Sequence, residues 1–264
     1  MRAYATLIGQ FIRASVQQEL AYRANFLISL MHSLLNAATG VLGVAVLFGQ
    51  VETVRGWDLG ATLAVLGVYL TVGALRDLVI SPSLDALAGM DGEVWTGRLD
   101  FTLLRPVDIQ FLASVRHWRP FALVDLVIGI GVLVAAAARL DAAPGPGDLA
   151  AFLVAFGAGL LALYAVLLAF IGLTFWSPGF LFSWVFSGLF QMARYPVGLY
   201  PGWMRLALTW VVPVGIITTV PAQALAGDVG PGLLAGSVIA AVGLFAGATA
   251  LFRAGLRRYA SASS

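Results

Sequence analysis

Long apolar blocks alternate along this chain with short charged or proline-rich breaks. The first block is mixed. Residues 4–20 place Tyr4, Leu7, Ile8, Phe11 and Ser15 on one helical face, with Arg2, Gln10, Arg13 and Gln17 elsewhere. That pattern predicts an amphipathic helix over residues 1–22, lying in a membrane interface rather than crossing it. Apolar stretches of about 20 residues, the length that crosses a bilayer, follow at 25–48, 59–80, 120–140, 149–176 and 232–252, with a shorter one at 180–195. Breaks fall at Glu52, Arg55 and Asp58, at DAAPGPGD (141–148) and at Ser177-Pro178-Gly179. The pattern predicts an all-α, polytopic membrane protein with about six transmembrane helices in one domain, residues 1–264.

Two stretches do not fit a simple span. Residues 81–119 are long and polar, and residues 196–225 carry Pro196, Pro201, Pro213 and Pro221. Four prolines cannot sit in one straight helix, and non-helical backbone at membrane depth needs protein or a water-filled cavity around it. The proline-rich stretch reads as a re-entrant hairpin with Trp203 and Trp210 at the interface; the other reading is a kinked seventh span. In the polar stretch, Ser81-Pro82 is a suitable helix start and Gly97 a suitable stop. Between them Leu84, Leu87, Met90 or Asp91, Val94 and Trp95 follow at helical spacing, flanked by Asp85, Asp91, Glu93 and Arg98. This is a short helix with an apolar face, either docking on a soluble partner or merely holding charge in a solvated loop.

Charge orients the helices. All 15 basic residues are arginine, and only 11% of the chain is charged against 60% hydrophobic, with mean hydropathy +0.93. With both termini cytoplasmic, the inner side holds Arg2, Arg13, Arg23, Arg76, Arg98, Arg105, Arg116, Arg119, Arg253, Arg257 and Arg258, and the outer side Arg55, Arg139, Arg194 and Arg205. The bias agrees with the positive-inside rule and makes residues 81–119 a cytoplasmic loop between the second and third spans. The N-terminus is too polar for a cleaved signal peptide. Without lysine there is no phosphate-binding loop and no Schiff-base chemistry. Without cysteine there is no disulfide or thiolate site. The net charge of +2 is spread between apolar spans, which gives nucleic-acid binding no support.

The segment GRLDFTLLRPVD (97–108) carries two arginines and two aspartates in this sparsely charged chain. Its pattern G-x-L-D-x-x-L-L-R-P, in Gly97, Leu99, Asp100, Leu103, Leu104, Arg105 and Pro106, resembles the permeases of ABC-2 type exporters. More narrowly it is similar to an ABC-2 family once catalogued as a domain of unknown function, which includes a bacterial viologen exporter permease. RYPVGLYPGWMRLALTWVVPVGIITTVPAQAL (194–225) resembles that family's tyrosine- and proline-rich segment, so the resemblance extends over nearly the whole chain. It implies a non-catalytic membrane subunit in a bacterial cell membrane, needing no cofactor of its own. ATP and Mg would be bound by two copies of a separate ABC ATPase, and a second permease, identical or paralogous, would complete the pathway. The cargo would be a hydrophobic or cationic small molecule, as in multidrug efflux. The loop 81–119 would then be the coupling element, with Leu84, Leu87, Glu93, Trp95, Arg98, Asp100 and Arg105 as candidate ATPase-coupling residues. Arg105, held extended by Pro106, would pair with Asp100 or with the ATPase. Tyr195, Pro196, Tyr200, Pro201, Trp203 and Pro213 would form an outer hairpin, residues 196–225, that closes the pathway.

Asn25, Ser29, His32, Asn36, Gly40 and Gly43 make one stripe of polar and small residues along the first span. Ser29, His32, Asn36 and Gly40 line either the pathway or an inter-subunit face, or else they serve close helix packing. Asp125 lies just inside the third span, where an acid is costly and often functional; the alternative is pairing with Arg116, Arg119 or Arg76. Arg76 and Asp77 read as an interfacial anchor. A membrane-embedded lipid-modifying enzyme would need His, Asp or Glu clustered near one membrane face, and an ion-coupled secondary transporter would need acids at mid-membrane. Two distant histidines and the single Asp125 fit neither well.

Overall fold

A computed structural model describes residues 2–21, 23–178 and 182–259. Among them there are helices and turns but no strand beyond one isolated bridge, Val54 to Trp57. Helix α1 is Arg2–Leu20, α2 Arg23–Leu47 and α3 Leu59–Leu75, which runs through a π turn, Arg76–Ile80, into α4, Ser81–Asp85. Three short helices follow: α5 Glu93–Thr96, α6 Leu99–Leu103 and α7 Ile109–Val115. Then come α8 Ala122–Ala137, α9 Pro146–Thr174 and α10 Phe182–Phe190, with a 3₁₀ turn Gln191–Arg194. Short helices α11 Gly202–Leu206 and α12 Val220–Leu225 precede the last helix, α13 Pro231–Arg258.

Four helical stretches are long and apolar enough to cross a membrane: Asn25–Leu47, Leu59–Asp85, Pro146–Thr174 and Pro231–Arg258. At 1.5 Å per residue they reach about 35 to 44 Å. The expected third span is shorter than predicted, 16 residues in α8. It starts late because the preceding segment is pinned: Trp118 N–H donates to Ser15 Oγ, Arg119 N–H to the Leu78 carbonyl and Phe121 N–H to the Glu19 carboxylate. It lies tightly on α3, since a Cβ at Gly67 would sit 2.6 Å from Leu133 Cα and one at Gly129 2.7 Å from Thr71 N. The expected fifth span is α10 plus its 3₁₀ turn.

Contacts sort the connections to two ends of the bundle. At one end Arg55 donates to the carbonyls of Leu199 and Tyr200, Gly60 abuts the Arg139 carbonyl and Gly227 lies beside Asp148. At the other end α1 is tied to Trp118 and Phe121, and the Tyr259 ring stacks edge-on to Phe175 at the close of α9. Helix α1 and Tyr259, just after α13, therefore lie beside residues 81–119. The buried side of α1 is the face the sequence picks out: Leu7, Ile8 and Phe11 are partly buried and Ser15 buried, while Gln10, Arg13 and Gln17 are exposed. Part of that face serves the protein rather than lipid, with Tyr4 edge-on to Phe111 at 4.8 Å.

The proline-rich stretch turns back. Gly202–Val211 and Gly215–Leu225 meet at 80° across Val212-Pro213-Val214. Ile216 and Ile217 carbonyls face Gly159, about 20 Å along α9 from its start at 1.5 Å per residue. Val220 and Ala224 pack with Ala155, and Gly227 is back at Asp148. The bent pair thus starts beside Arg55 and ends beside Asp148, at the same end of the bundle.

One sequence expectation is corrected. Ser81-Pro82 does not start a helix but continues one. Proline has no N–H and crowds the carbonyl four residues back. Here the backbone opens into a π turn, Ser81 N–H bonding to the Arg76 carbonyl, and the freed Leu78 carbonyl accepts from Arg119 N–H at 3.1 Å. The same device recurs: π turns Ala207–Val211 and Gly215–Thr219 are each followed by one residue and then a proline, Pro213 and Pro221. Gly97 does act as a helix stop, with φ of 72°.

Candidate functional site

A polar cavity of about 340 Å³ lies between α2, α3, α8 and the 3₁₀ turn after α10. Its charged lining is Arg76, Asp77, Asp125 and Arg194, joined by His32, Asn36 and Gln191. A second lobe of about 400 Å³ shares His32, Asn36, Asp77 and Asp125 and extends past Ser29 to Arg119, toward the loop end of the bundle. Asn36 sits near the middle of α2, so the cavity reaches half-way through the span.

The stripe on α2 divides into two functions along its length. Ser29, His32 and Asn36 line the cavity, whereas Gly40 and Gly43 lie against other side chains. A Cβ at Gly40 would lie 2.9 Å from Leu66 Cδ1, and one at Gly43 2.9 Å from Tyr195 Oη.

Two arginines that the sequence assigns to membrane surfaces line the cavity. Arg76 pairs with its neighbour Asp77 at 2.8 Å and lies over the Phe190 ring at 5.2 Å. Arg194, counted above among the external arginines, donates to Asn36 Oδ1 and lies over the Tyr69 ring at 5.6 Å. Each guanidinium thus has a hydrogen-bond partner and an aromatic face. Asp125 has no ion pair with Arg76, Arg116 or Arg119; among the described residues its carboxylate has no hydrogen-bond partner. A polar residue at mid-span, Asn36, was the signal that an interior partner such as Arg194 exists.

The loop 81–119 holds four short helices, α4 to α7, and Ser81 to Gly97 is not one helix. Leu84 and Leu87 are buried in the core and form no outer face. Glu93 is 9% exposed. Its carboxylate is ion-paired with Arg116 and accepts from Thr102 Oγ1 at 3.1 Å, while Arg116 also donates to Thr102. Glu93 is therefore a staple within the loop and not an exposed docking charge. Arg98 is exposed and braces the preceding turn, donating to the Asp91 carbonyl at 2.8 Å and Thr96 Oγ1 at 3.2 Å. Asp100 lies beside the Tyr259 hydroxyl, whose pKa is pushed up by burial and then by that carboxylate. The expected Arg105–Asp100 pair is not formed; Arg105 is exposed and its guanidinium has no hydrogen-bond partner among the described residues. Beside these charges the loop exposes apolar side chains: Met90, Trp95 and Leu103, with Phe101 at 74% and Leu104 at 82%. The motif's leucines carried that signal.

On its inner side the loop grips the bundle. Asp108 caps α7 by accepting from Phe111 N–H at 2.9 Å. Gln110 then donates to Thr249 Oγ1 on α13 at 3.1 Å, and Ser114 Oγ lies 2.7 Å from Tyr164 Oη on α9. His117 fixes the loop to α4 through Ser83, and its Nδ1 is buried without a partner. Burial, and then Arg116, pulls the His117 pKa below 6.5. The unfolded loop then takes up the proton first, so local stability is full above pH 6.5 and is lost as pH falls through the lowered value. Hydrogen exchange across residues 114–121, corrected for intrinsic rates, should be faster at pH 5.5 than at pH 7.5, and His117→Phe should remove the difference.

At the opposite end the hairpin residues are assembled as one unit. Tyr195 Oη packs on Gly43, Tyr200 Oη donates to the Met192 carbonyl at 3.0 Å, and Pro196, Pro201 and Pro213 mark the three breaks. Trp203 is exposed.

No curated protein and no solved structure matches the chain. Residues 34–263, from mid-α2 through the last helix, match the family model described as ABC-2 family transporter protein. That match takes in the loop, the hairpin and the cavity walls from Asn36 onward, and the chain belongs to the ABC-2 family of transporter proteins.

Proposed function

We propose that this ABC-2 family permease is the membrane subunit of an exporter driven from the loop end. The family implies an ABC ATPase partner. In this reading two ATPase copies bind ATP and Mg and dock on residues 81–119, and a second permease, identical or paralogous, completes the pathway. The cargo is a hydrophobic or cationic small molecule. The loop end is cytoplasmic, both termini included, and the membrane is a bacterial inner membrane.

The observation that carries this reading is the two-sided loop. Phe101 and Leu104 are exposed on one side, and Gln110 and Ser114 hold Thr249 and Tyr164 on the other. Apolar side chains on a surface suit a partner. Force applied there reaches α9 and α13, the two longest helices, through hydrogen bonds rather than through a slack linker. The cavity opens toward the same end, and beyond Asn36 Gly40 and Gly43 lie against Leu66 and Tyr195, the arrangement of an inward-facing state.

Sidedness is testable because the chain has no cysteine. In whole cells a membrane-impermeant thiol reagent should label Arg55→Cys and Ala142→Cys, and spare Arg105→Cys and Arg258→Cys until the cells are opened. Labelling of Arg105→Cys from outside would reverse the orientation.

A further inference from the structure

The cavity between α2, α3, α8 and α10 holds two opposite charges that no residue neutralises by contact. The Arg194 guanidinium has one hydrogen-bond partner among the described residues, the neutral amide of Asn36. The Asp125 carboxylate has none. Arg76 and Asp77, in the same walls, already neutralise each other at 2.8 Å. Charge at membrane depth is expensive unless paired or solvated, so the lining states which ligand it favours. An organic cation alone would satisfy Asp125 and leave Arg194 facing it. An anion alone would do the reverse. The cavity also lacks an aromatic cage for a lone cation, because the faces of Phe190 and Tyr69 are covered by Arg76 and Arg194.

We infer that this cavity is a binding site, within a single subunit, for a small zwitterion carrying an ammonium and a carboxylate. The ammonium lies against Asp125. The carboxylate takes the planar guanidinium fork of Arg194, whose geometry suits two parallel hydrogen bonds. Asn36 keeps the guanidinium aimed, and the volume of about 340 Å³ falls in the range of small-molecule sites. The entrance is the lobe past Ser29 and Arg119. This rests on the permease reading and narrows its cargo from cations in general to cations that also carry an acid.

The test uses the full chain in phosphatidylglycerol nanodiscs, where no zwitterionic headgroup competes. His32→Cys places the only thiol in the wall shared by both lobes. Millimolar glycine betaine should slow its labelling by a methanethiosulfonate reagent at least five-fold, while choline and propionate at the same concentration leave the rate unchanged. Asp125→Asn should abolish the betaine effect. Arg194→Gln should abolish it too and let choline protect instead. Betaine should also raise the Tm of the chain with His32 intact, which guards against damage from the reporter. Unchanged labelling and Tm with betaine would mean a water-filled vestibule and overturn the inference, as would choline protecting as well as betaine before Arg194 is changed. Neither outcome touches the ATPase partnership, which is read by co-purification instead.

Discussion

Arg116→Ala should destabilise the loop by about 3 kcal/mol, the lower end of the cost of breaking a buried ion pair. The carboxylate left behind, Glu93, is buried and would keep only Thr102 as a side-chain hydrogen-bond partner. Arg116 itself is pulled down in pKa by burial yet stays charged at any physiological pH, so the pair does not switch off in the wild type. The expected result is faster proteolysis and hydrogen exchange across residues 90–118, with the long helices still assembled. Glu93→Gln with Arg116→Met removes both charges and should recover most of the loss. If Arg116→Ala leaves exchange in the loop unchanged, the staple contributes nothing and the loop is held by its buried leucines and its hydrogen bonds to the bundle.

Phe101→Ser with Leu104→Ser should act in the opposite way, sparing the fold and damaging the partnership. Both side chains are largely exposed, so their loss should shift Tm little. If the ATPase covers them, each is worth about 1.5 to 3 kcal/mol, and losing both should weaken the complex about 10²- to 10⁴-fold. Co-purification with the ATPase at matched expression reads this directly. Full retention of the ATPase would move the docking surface away from Phe101 and Leu104.

Local pattern carried the long helices, because a span needs only about 20 apolar residues in a row. It carried the break at residues 196–225 as well, since four prolines cannot sit in one straight helix. It failed where the deciding partner is distant in sequence. Glu93 looks like a surface charge until Arg116, 23 residues on, is folded against it. Ser81-Pro82 looks like a helix start until Arg119 supplies the N–H that Pro82 lacks. Arg194 lies beside a proline-rich break, where charge counting assigns it to the outer surface. Its place inside is fixed by Asn36, 158 residues earlier. Asp125, singled out as an acid at membrane depth, lines the cavity; the alternative that the sequence left open, a pair with Arg76, Arg116 or Arg119, is not formed among the described residues.

The account stands on the claim that motion of an ATP-hydrolysing partner enters this chain through residues 81–119. The direct measurement is ATP hydrolysis and thiol accessibility on the complex purified from its own membranes, with His32→Cys as the reporter. The account predicts that an ABC ATPase accompanies the chain. It also predicts that ATP trapping changes the labelling rate of His32→Cys several-fold, an effect lost with Phe101→Ser and Leu104→Ser. A chain that purifies without an ATPase, or a cavity whose accessibility ignores ATP while the ATPase stays bound, would contradict it.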